Sequence, residues 1–376
     1  MDYMSWIRAL IGLFYRTVAK PVLFLFDAEA VHDATVAFGA WAGNISVVPA
    51  LLRYRSSALN QALDGIAFEN PVGLAAGFDY NGQLAHVLGN VGFGFHTVGT
   101  VTALQYRGNA KPRLGRLPRS KALFVNKGFK SAGARAVRDH LDSLDLSREV
   151  IGISVGASNV PDVDGPDRAI ADYCETFKTF RDADYVKYFE LNISCPNTRM
   201  GDPFLGREAF LDLVRAVADT GVRQPIWVKM PSELSWDATR ELMDVALGQG
   251  MHTFIFSNLA KNRRNAAFDP EELARFRSCK GNFSGKPVQK LSDDLISRSH
   301  AEYQGEAVLI GCGGIFCAQD AYEKIRRGAH LVQLITGMIF QGPQLIAQIN
   351  EELVALARAD GFARVSDARG TKMTYS

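Results

Sequence analysis

Tyr188-Phe189-Glu190-Leu191-Asn192-Ile193-Ser194-Cys195-Pro196-Asn197-Thr198 begins as an apolar run of strand type, entered at Val186 and interrupted by Lys187 and Glu190. It ends in a polar turn holding two carboxamides, a thiol and two hydroxyls. A strand that runs out into chemistry at its C-terminal end is how a barrel enzyme presents its functional groups. Each carboxamide is both donor and acceptor, so Asn192 and Asn197 can read the edge of a flat, amide-rich ring, with Pro196 stiffening the turn and Cys195 between them as the reactive group. A polar loop around a small buried cysteine would leave the same trace, so the surrounding chain decides.

Working outward, the same texture recurs. Residues 72–76, 97–100, 151–155, 189–192, 226–229, 253–257, 308–311 and 331–334 read as short strands, and helical patterns such as 237–247 and 318–327 alternate with them. Strand–helix alternation repeated eight times over about 300 residues predicts a (β/α)8 TIM barrel. An open doubly wound sheet is the rival, but its Gly-x-Gly-x-x-Gly turn is absent after the first strand. The interval 101–150 is too long for a simple crossover and predicts a lid or binding wall.

Residues 1–50 read differently and form a separate helical segment ahead of a 51–376 barrel. Trp6, Ile7, Leu10, Ile11, Leu13, Phe14 and Tyr15 are punctuated by Arg8, Arg16 and Lys20; Pro21 then opens a second apolar run, and an amphipathic stretch follows from Ala28 to about Ala42. Neither stretch has the 18 or more uninterrupted apolar residues of a spanning helix. Two readings fit: a helical pair lying in a membrane interface, or a cap packed on the barrel. Asp2 and the lack of a small-residue cleavage site argue against a cleaved signal.

The whole chain has 376 residues, 47% hydrophobic and 22% charged, with a formal charge of +2, which argues against a general nucleic-acid binder. Its five cysteines, Cys174, Cys195, Cys279, Cys312 and Cys317, favour reduced thiols in an intracellular compartment. No C-x-x-C pair supports a metal or iron–sulfur site.

Four strand ends carry groups that would meet at one mouth. Ala75-Ala76-Gly77 lets a planar ligand approach the backbone. Lys229 ends the fifth strand, where its ammonium can stabilise negative charge on a cofactor or sit in an ion pair. Gly313 and Gly314 after the seventh strand, and Thr336 and Gly337 after the eighth, fit the phosphate site that barrels build from these two loops. With Ser284-Gly285 before Lys286 and no nucleotide fingerprint elsewhere, FMN is the natural cofactor.

Gly73-Leu74-Ala75-Ala76-Gly77-Phe78-Asp79, Val98-Gly99-Thr100-Val101-Thr102, Lys111-Pro112-Arg113-Leu114, Asn192-Ile193-Ser194-Cys195-Pro196-Asn197-Thr198 and Leu331-Val332-Gln333-Leu334 together resemble the membrane-associated, quinone-linked (class 2) dihydroorotate dehydrogenases. The likeness runs from roughly residue 27 to 353. It implies bound FMN, oxidation of dihydroorotate to orotate with hydride passing to the flavin and a proton to Cys195, and reoxidation by a membrane quinone entering beneath the N-terminal helices. By position it implies that Asn126, Asn192, Asn197 and Asn258 hold the pyrimidine. Ala76, Gly77, Thr100, Ser154, Asn192, Lys229, Ser257, Gly285, Gly313, Gly314, Thr336 and Gly337 would hold FMN, and His32 and Arg116 would line the quinone tunnel. A monomer, peripheral on the cytoplasmic side of the inner membrane, is the corresponding expectation.

The departures are as informative. Cys195 stands where class 2 enzymes have a serine base; with an ordinary pKa of about 8.5, a thiol is the better unaided base. Tyr80 replaces a lysine that contacts substrate and flavin, Leu259 a small hydroxyl residue, Ser154 a flavin-contacting asparagine and Ile335 a tyrosine near the tunnel. Lys127 or Lys261 could restore the lost cation. Tyr80 and Leu259 leave open a related ring without the carboxylate as substrate, and a non-catalytic flavoprotein or membrane-surface binder is the remaining alternative.

Overall fold

The structure is a computed structural model that describes residues 3–43, 45, 47–194 and 197–372; Cys195 and Pro196 lie outside the described residues. Eight parallel strands close into a barrel: β1 (Val72–Leu74), β2 (Phe95–Val101), β3 (Ile151–Val155), β4 (Val186–Asn192), β5 (Ile226–Met230), β6 (Thr253–Phe256), β7 (Val308–Cys312) and β8 (Leu331–Leu334). Each pairs with the next in sequence, and β8 pairs with β1 to close the ring. All eight expected strands are present, and the (β/α)8 barrel is the fold.

Helices form where apolar residues recur at helical spacing. In Trp236–Leu247 the Ser235 hydroxyl caps the Ala238 N–H, and Thr239, Leu242, Met243 and Ala246 make one buried stripe against the strands.

Alternation along β4 sends Phe189 and Leu191 outward into the helix-facing core and Tyr188, Glu190 and Asn192 inward. The interior is therefore layered. Its floor is aromatic: Tyr188 stacks on Trp227 at 3.6 Å, and Phe95 meets Phe68 from a hairpin (Gln61–Leu63 with Ile66–Phe68) that closes the N-terminal end. Each such ring is worth about 4–6 kcal/mol of gross transfer free energy. That end is sealed, which directs chemistry to the other. Above the floor lies a polar layer of Thr97, Ser154, Glu190, Lys229 and Gln333, all buried.

The 101–150 interval holds Leu114–Leu117 and Ala122–Val125, which form an antiparallel sheet with Asn282–Gly285 beside the mouth. Phe124 stacks on Phe276 at 4.6 Å, giving this wall its own small core.

The N-terminal helix Tyr3–Phe14 continues through one wider turn at Tyr15–Ala19 into Lys20–Leu23, and Asp27 then caps the helix Ala28–Ala42. Arg8 and Tyr15 on this segment turn toward the barrel. Arg8, 4% exposed, donates to the Leu51 and Arg53 carbonyls and to Glu351, while Tyr15 donates to the Ile339 carbonyl. Trp6, Leu10, Phe14, Leu25, Phe38 and Trp41 face outward, each more than half exposed. Among the described residues no helix is long and apolar enough to cross a membrane.

Candidate active site

At the C-terminal end of the barrel a hydrogen-bond relay fixes the mouth. Asn192 Nδ2 donates to Thr100 Oγ1 at 3.0 Å, Thr100 and Ser154 hydroxyls are 2.9 Å apart, and Ser154 donates to Glu190 Oε1 at 2.8 Å. Because a carboxylate only accepts, every proton in this chain has one direction, and the Asn192 carboxamide is left with its oxygen facing Asn258. Asn258 Nδ2 answers at 3.3 Å and also reaches Ser194 Oγ at 2.8 Å. Ser194 donates to the Lys229 carbonyl at 3.0 Å, so β4, β5 and the loop after β6 are cross-linked around one rim.

The opposite rim rests on Asn109, which the sequence reading did not single out. Its Nδ2 donates to Asn126 Oδ1 at 3.0 Å and to the Asn197 carbonyl at 2.9 Å, and its oxygen accepts from Tyr106 and Asn159. Asn197 in turn donates to the Val125 carbonyl and accepts from Asn282, which ties the loop after β4 to the side sheet.

Below the mouth, Lys229 Nζ stands 3.6 Å from Glu190 Oε2 and 3.9 Å from Cys312 Sγ. Burial works against its charge, but the Glu190 carboxylate opposes this, and the Lys229 pKa is raised above the ordinary lysine value. Burial pushes the Cys312 thiol up. This buried cation is therefore protonated at neutral pH.

Loops seven and eight come together on the side of Ser284. Ser284 and Thr336 hydroxyls are 2.8 Å apart, and Thr336 begins the helix Thr336–Gln341. A Cβ on Gly337 would meet the Ile315 carbonyl at 1.9 Å, so only glycine lets these loops approach so closely. Ser257, at the end of β6, is buried, and its hydroxyl has no partner among the described residues. A Cβ on Gly77, at φ +108°, would meet only Ile335 at 3.8 Å among the described residues, leaving open the space a side chain would fill. A bare backbone edge, an orphaned buried hydroxyl and a buried ammonium fit a planar, phosphate-bearing ring such as FMN.

One cavity of about 320 Å³ joins these parts to the N-terminal helices. Ala76, Gly77, Tyr80, Thr100, Asn192, Asn197 and Asn258 line its barrel end, and His32 and Arg116 line its other end together with Tyr15, Phe24 and Val31. His32 Nε2 donates to the Phe78 carbonyl at 2.8 Å, and burial lowers its pKa against the pull of Asp33. Arg116 donates to the Phe26 carbonyl. Of the remaining expected residues, Ser154 and Thr336 stand one hydrogen bond behind this lining and Asn126 is linked to it through Asn109. Lys229, Ser257, Gly285, Gly313, Gly314 and Gly337 also lie outside the lining. Cys195 lies outside the described residues.

Between the two ends sits a charged cluster. Glu29, 5% exposed, accepts from Lys127 at 3.0 Å, Lys130 at 3.4 Å and Arg113 at 2.9 Å. Burial would push its carboxyl up, but the Lys127 hydrogen bond and the three positive charges overcome that and hold it at about 2. Lys127 Nζ also lies 4.8 Å from the centroid of the Tyr80 ring. Lys261 is instead paired with Asp202 away from the cavity. Three cations around one carboxylate leave this wall attractive to an anion.

The chain is similar over most of its length to known proteins. Residues 58–356 match the family model described as dihydroorotate dehydrogenase. The chain is 35% identical over 359 residues to a dihydroorotate dehydrogenase (quinone) of Halobacterium salinarum, covering 94% of this chain and 99% of the relative. It is 36% identical over 362 residues to that of Sphingopyxis alaskensis, covering 94% and 96%. The crystal structure of DHODH in complex with ferulenol from Eimeria tenella superposes with a TM-score of 0.81 at 28% identity, covering 92% of this chain and 95% of that one.

Proposed function

Since the chain belongs to the dihydroorotate dehydrogenase family, we propose that it is a flavin oxidoreductase that converts dihydroorotate to orotate with a quinone as electron acceptor. The observation that carries this is the single cavity that begins among Asn192, Asn197 and Asn258 and ends between the N-terminal helices at His32 and Arg116. One passage thus offers a polar end for a pyrimidine and an apolar end for a quinone.

FMN fits as the cofactor and would be held by Ala76, Gly77, Thr100, Ser154, Asn192, Lys229, Ser257 and Gly285, with Gly313, Gly314, Thr336 and Gly337 available to its phosphate. When bound it would supply a hydride acceptor for one ring carbon of the substrate and a two-electron donor for the quinone. The protein's part is positional. Asn126, Asn192, Asn197 and Asn258 present donors and acceptors in fixed directions to the ring amides, and Cys195 takes the proton from the neighbouring carbon. Tyr80 brings no cation to the substrate carboxylate. Lys127 lines the cavity beside it, and of the two candidate lysines it is the one suited to that task. This favours a carboxylate-bearing ring over a neutral one.

Residues 1–50 form the quinone-access and membrane-docking unit and 51–376 the barrel, in a monomer held peripherally on the cytoplasmic side of the inner membrane. The support is the inverted amphipathicity of the N-terminal helices: charged groups such as Arg8 inward, a row of Trp, Phe and Leu outward. The purified protein should release FMN on heating and reduce a ubiquinone analogue when given dihydroorotate. Release of another cofactor, or turnover only with a substrate lacking the carboxylate, would overturn the reading.

A further inference from the structure

Glu190 has no place in the chemistry above. It is fully buried on an inward position of β4. One carboxylate oxygen accepts from Ser154, while the other has no hydrogen-bond partner among the described residues and stands 3.6 Å from Lys229 Nζ. Among the described residues, the only other group within reach of that ammonium is the Cys312 sulfur at 3.9 Å, a weak acceptor. Lys229 therefore has donors left over, and Glu190 an acceptor left over, in a dry interior where each unmade hydrogen bond is costly. A buried ion pair with such loose geometry adds little to stability compared with an apolar pair of the same volume. A charge kept here under those terms points to function.

We propose that Glu190 is a positioning residue that acts through Lys229: it holds the ammonium beneath the mouth and, by its own negative charge, lowers the reduction potential of the bound flavin. The proposal rests on the FMN reading. A reduced flavin ring carries extra negative charge. Lys229 favours that charge and Glu190 opposes it, so the pair as built tempers the pull that a lone lysine would exert. The same carboxylate terminates the relay Asn192, Thr100, Ser154, so it also fixes which face Asn192 offers the substrate. A tempered potential makes the flavin a readier electron donor to the acceptor quinone, at the cost of a smaller drive for its own reduction.

The test is a dye-equilibrated redox titration of the flavin-loaded protein. Glu190→Gln keeps the size and the acceptor for Ser154 and removes the charge. Its equilibrium constant for reduction should rise at least tenfold, about 30 mV for two electrons. A smaller rise, no change or a fall overturns the proposal. Glu190→Asp keeps the charge and should stay within about threefold of wild type; a tenfold rise there would assign the effect to packing instead. Should Glu190→Gln not retain flavin, the comparison moves to Lys229→Gln against the Glu190→Gln/Lys229→Gln pair, titrated across neutral to alkaline pH because burial drives the lone carboxyl of Lys229→Gln to protonate. The double variant should exceed Lys229→Gln by at least tenfold at the alkaline end, where the carboxyl is ionised, and a smaller difference there refutes the role of the carboxylate. A wild-type protein carrying no FMN would sink the cofactor reading; equal potentials with FMN bound would sink this proposal alone.

Discussion

Glu29→Gln should loosen one helix without disturbing the barrel. In the native protein its carboxylate accepts from Lys127, Lys130 and Arg113 while only 5% exposed, and so pins the helix Ala28–Ala42 to the barrel mouth. An amide in its place can accept weakly from one of these and presents two donors to the rest. Removing one partner of a buried pair costs about 3–5 kcal/mol. Lys130 is 29% exposed and Arg113 16%, so both can turn to water, and the lower figure of about 3 kcal/mol applies. That is roughly a 150-fold shift toward the undocked helix. Hydrogen exchange at the amides of residues 31–42 should speed up by that factor, while Tyr3–Phe14, anchored independently through Arg8, keeps its protection. Acid should reproduce the effect in the native chain. The folded carboxyl titrates at about 2 against an ordinary 4.5, so its contribution is complete above 4.5 and is lost as pH falls toward 2. If Glu29→Gln leaves exchange in 31–42 within threefold of wild type at neutral pH, the cluster does not clamp the helix.

Three further outcomes follow from the site. Cys195→Ala should bind FMN normally yet reduce it at least about a hundredfold more slowly, with Cys195→Ser between, and the native rate should rise with pH along one thiol ionisation; reduction at the wild-type rate would remove the base. Lys127→Met should raise the KM for dihydroorotate roughly 10- to 150-fold, the worth of a charged hydrogen bond of about 1.5–3 kcal/mol. Lys127→Arg should recover part of that and Lys261→Met none be needed, its KM staying within about twofold; equal effects of the two methionine variants would refute the assignment. A chain lacking residues 1 to about 45 should keep flavin and turnover with a soluble dye while losing activity with a long-chain quinone, and loss of flavin on truncation would make the helices part of the fold.

The barrel was legible because each strand is a short apolar run ending in small or polar residues, a pattern set by local sequence alone. All eight strands lie where that pattern puts them, although β1 stops at Leu74, two residues short of the 72–76 run. Ala76, Thr100, Asn192 and Asn258 were placed near the mouth for the same reason, lying at or just after strand ends. The charged cluster was not: Glu29 meets its partners 84, 98 and 101 residues away, and nothing near it in sequence marks it as buried. Asn109 likewise acts across 17 and 88 residues, in a stretch that reads as loop. Glu190 was visible but misread. It looked like an interruption of an apolar run, whereas strand alternation puts it inside the barrel with Tyr188 and Asn192.

The most direct measurement is anaerobic mixing of the flavin-loaded protein with dihydroorotate, followed in the visible spectrum. The flavin should bleach in a single turnover and regain its colour on addition of a quinone. A flavin that stays oxidised with dihydroorotate, yet bleaches with a chemical reductant and returns with quinone, would contradict the substrate assignment on which the account depends.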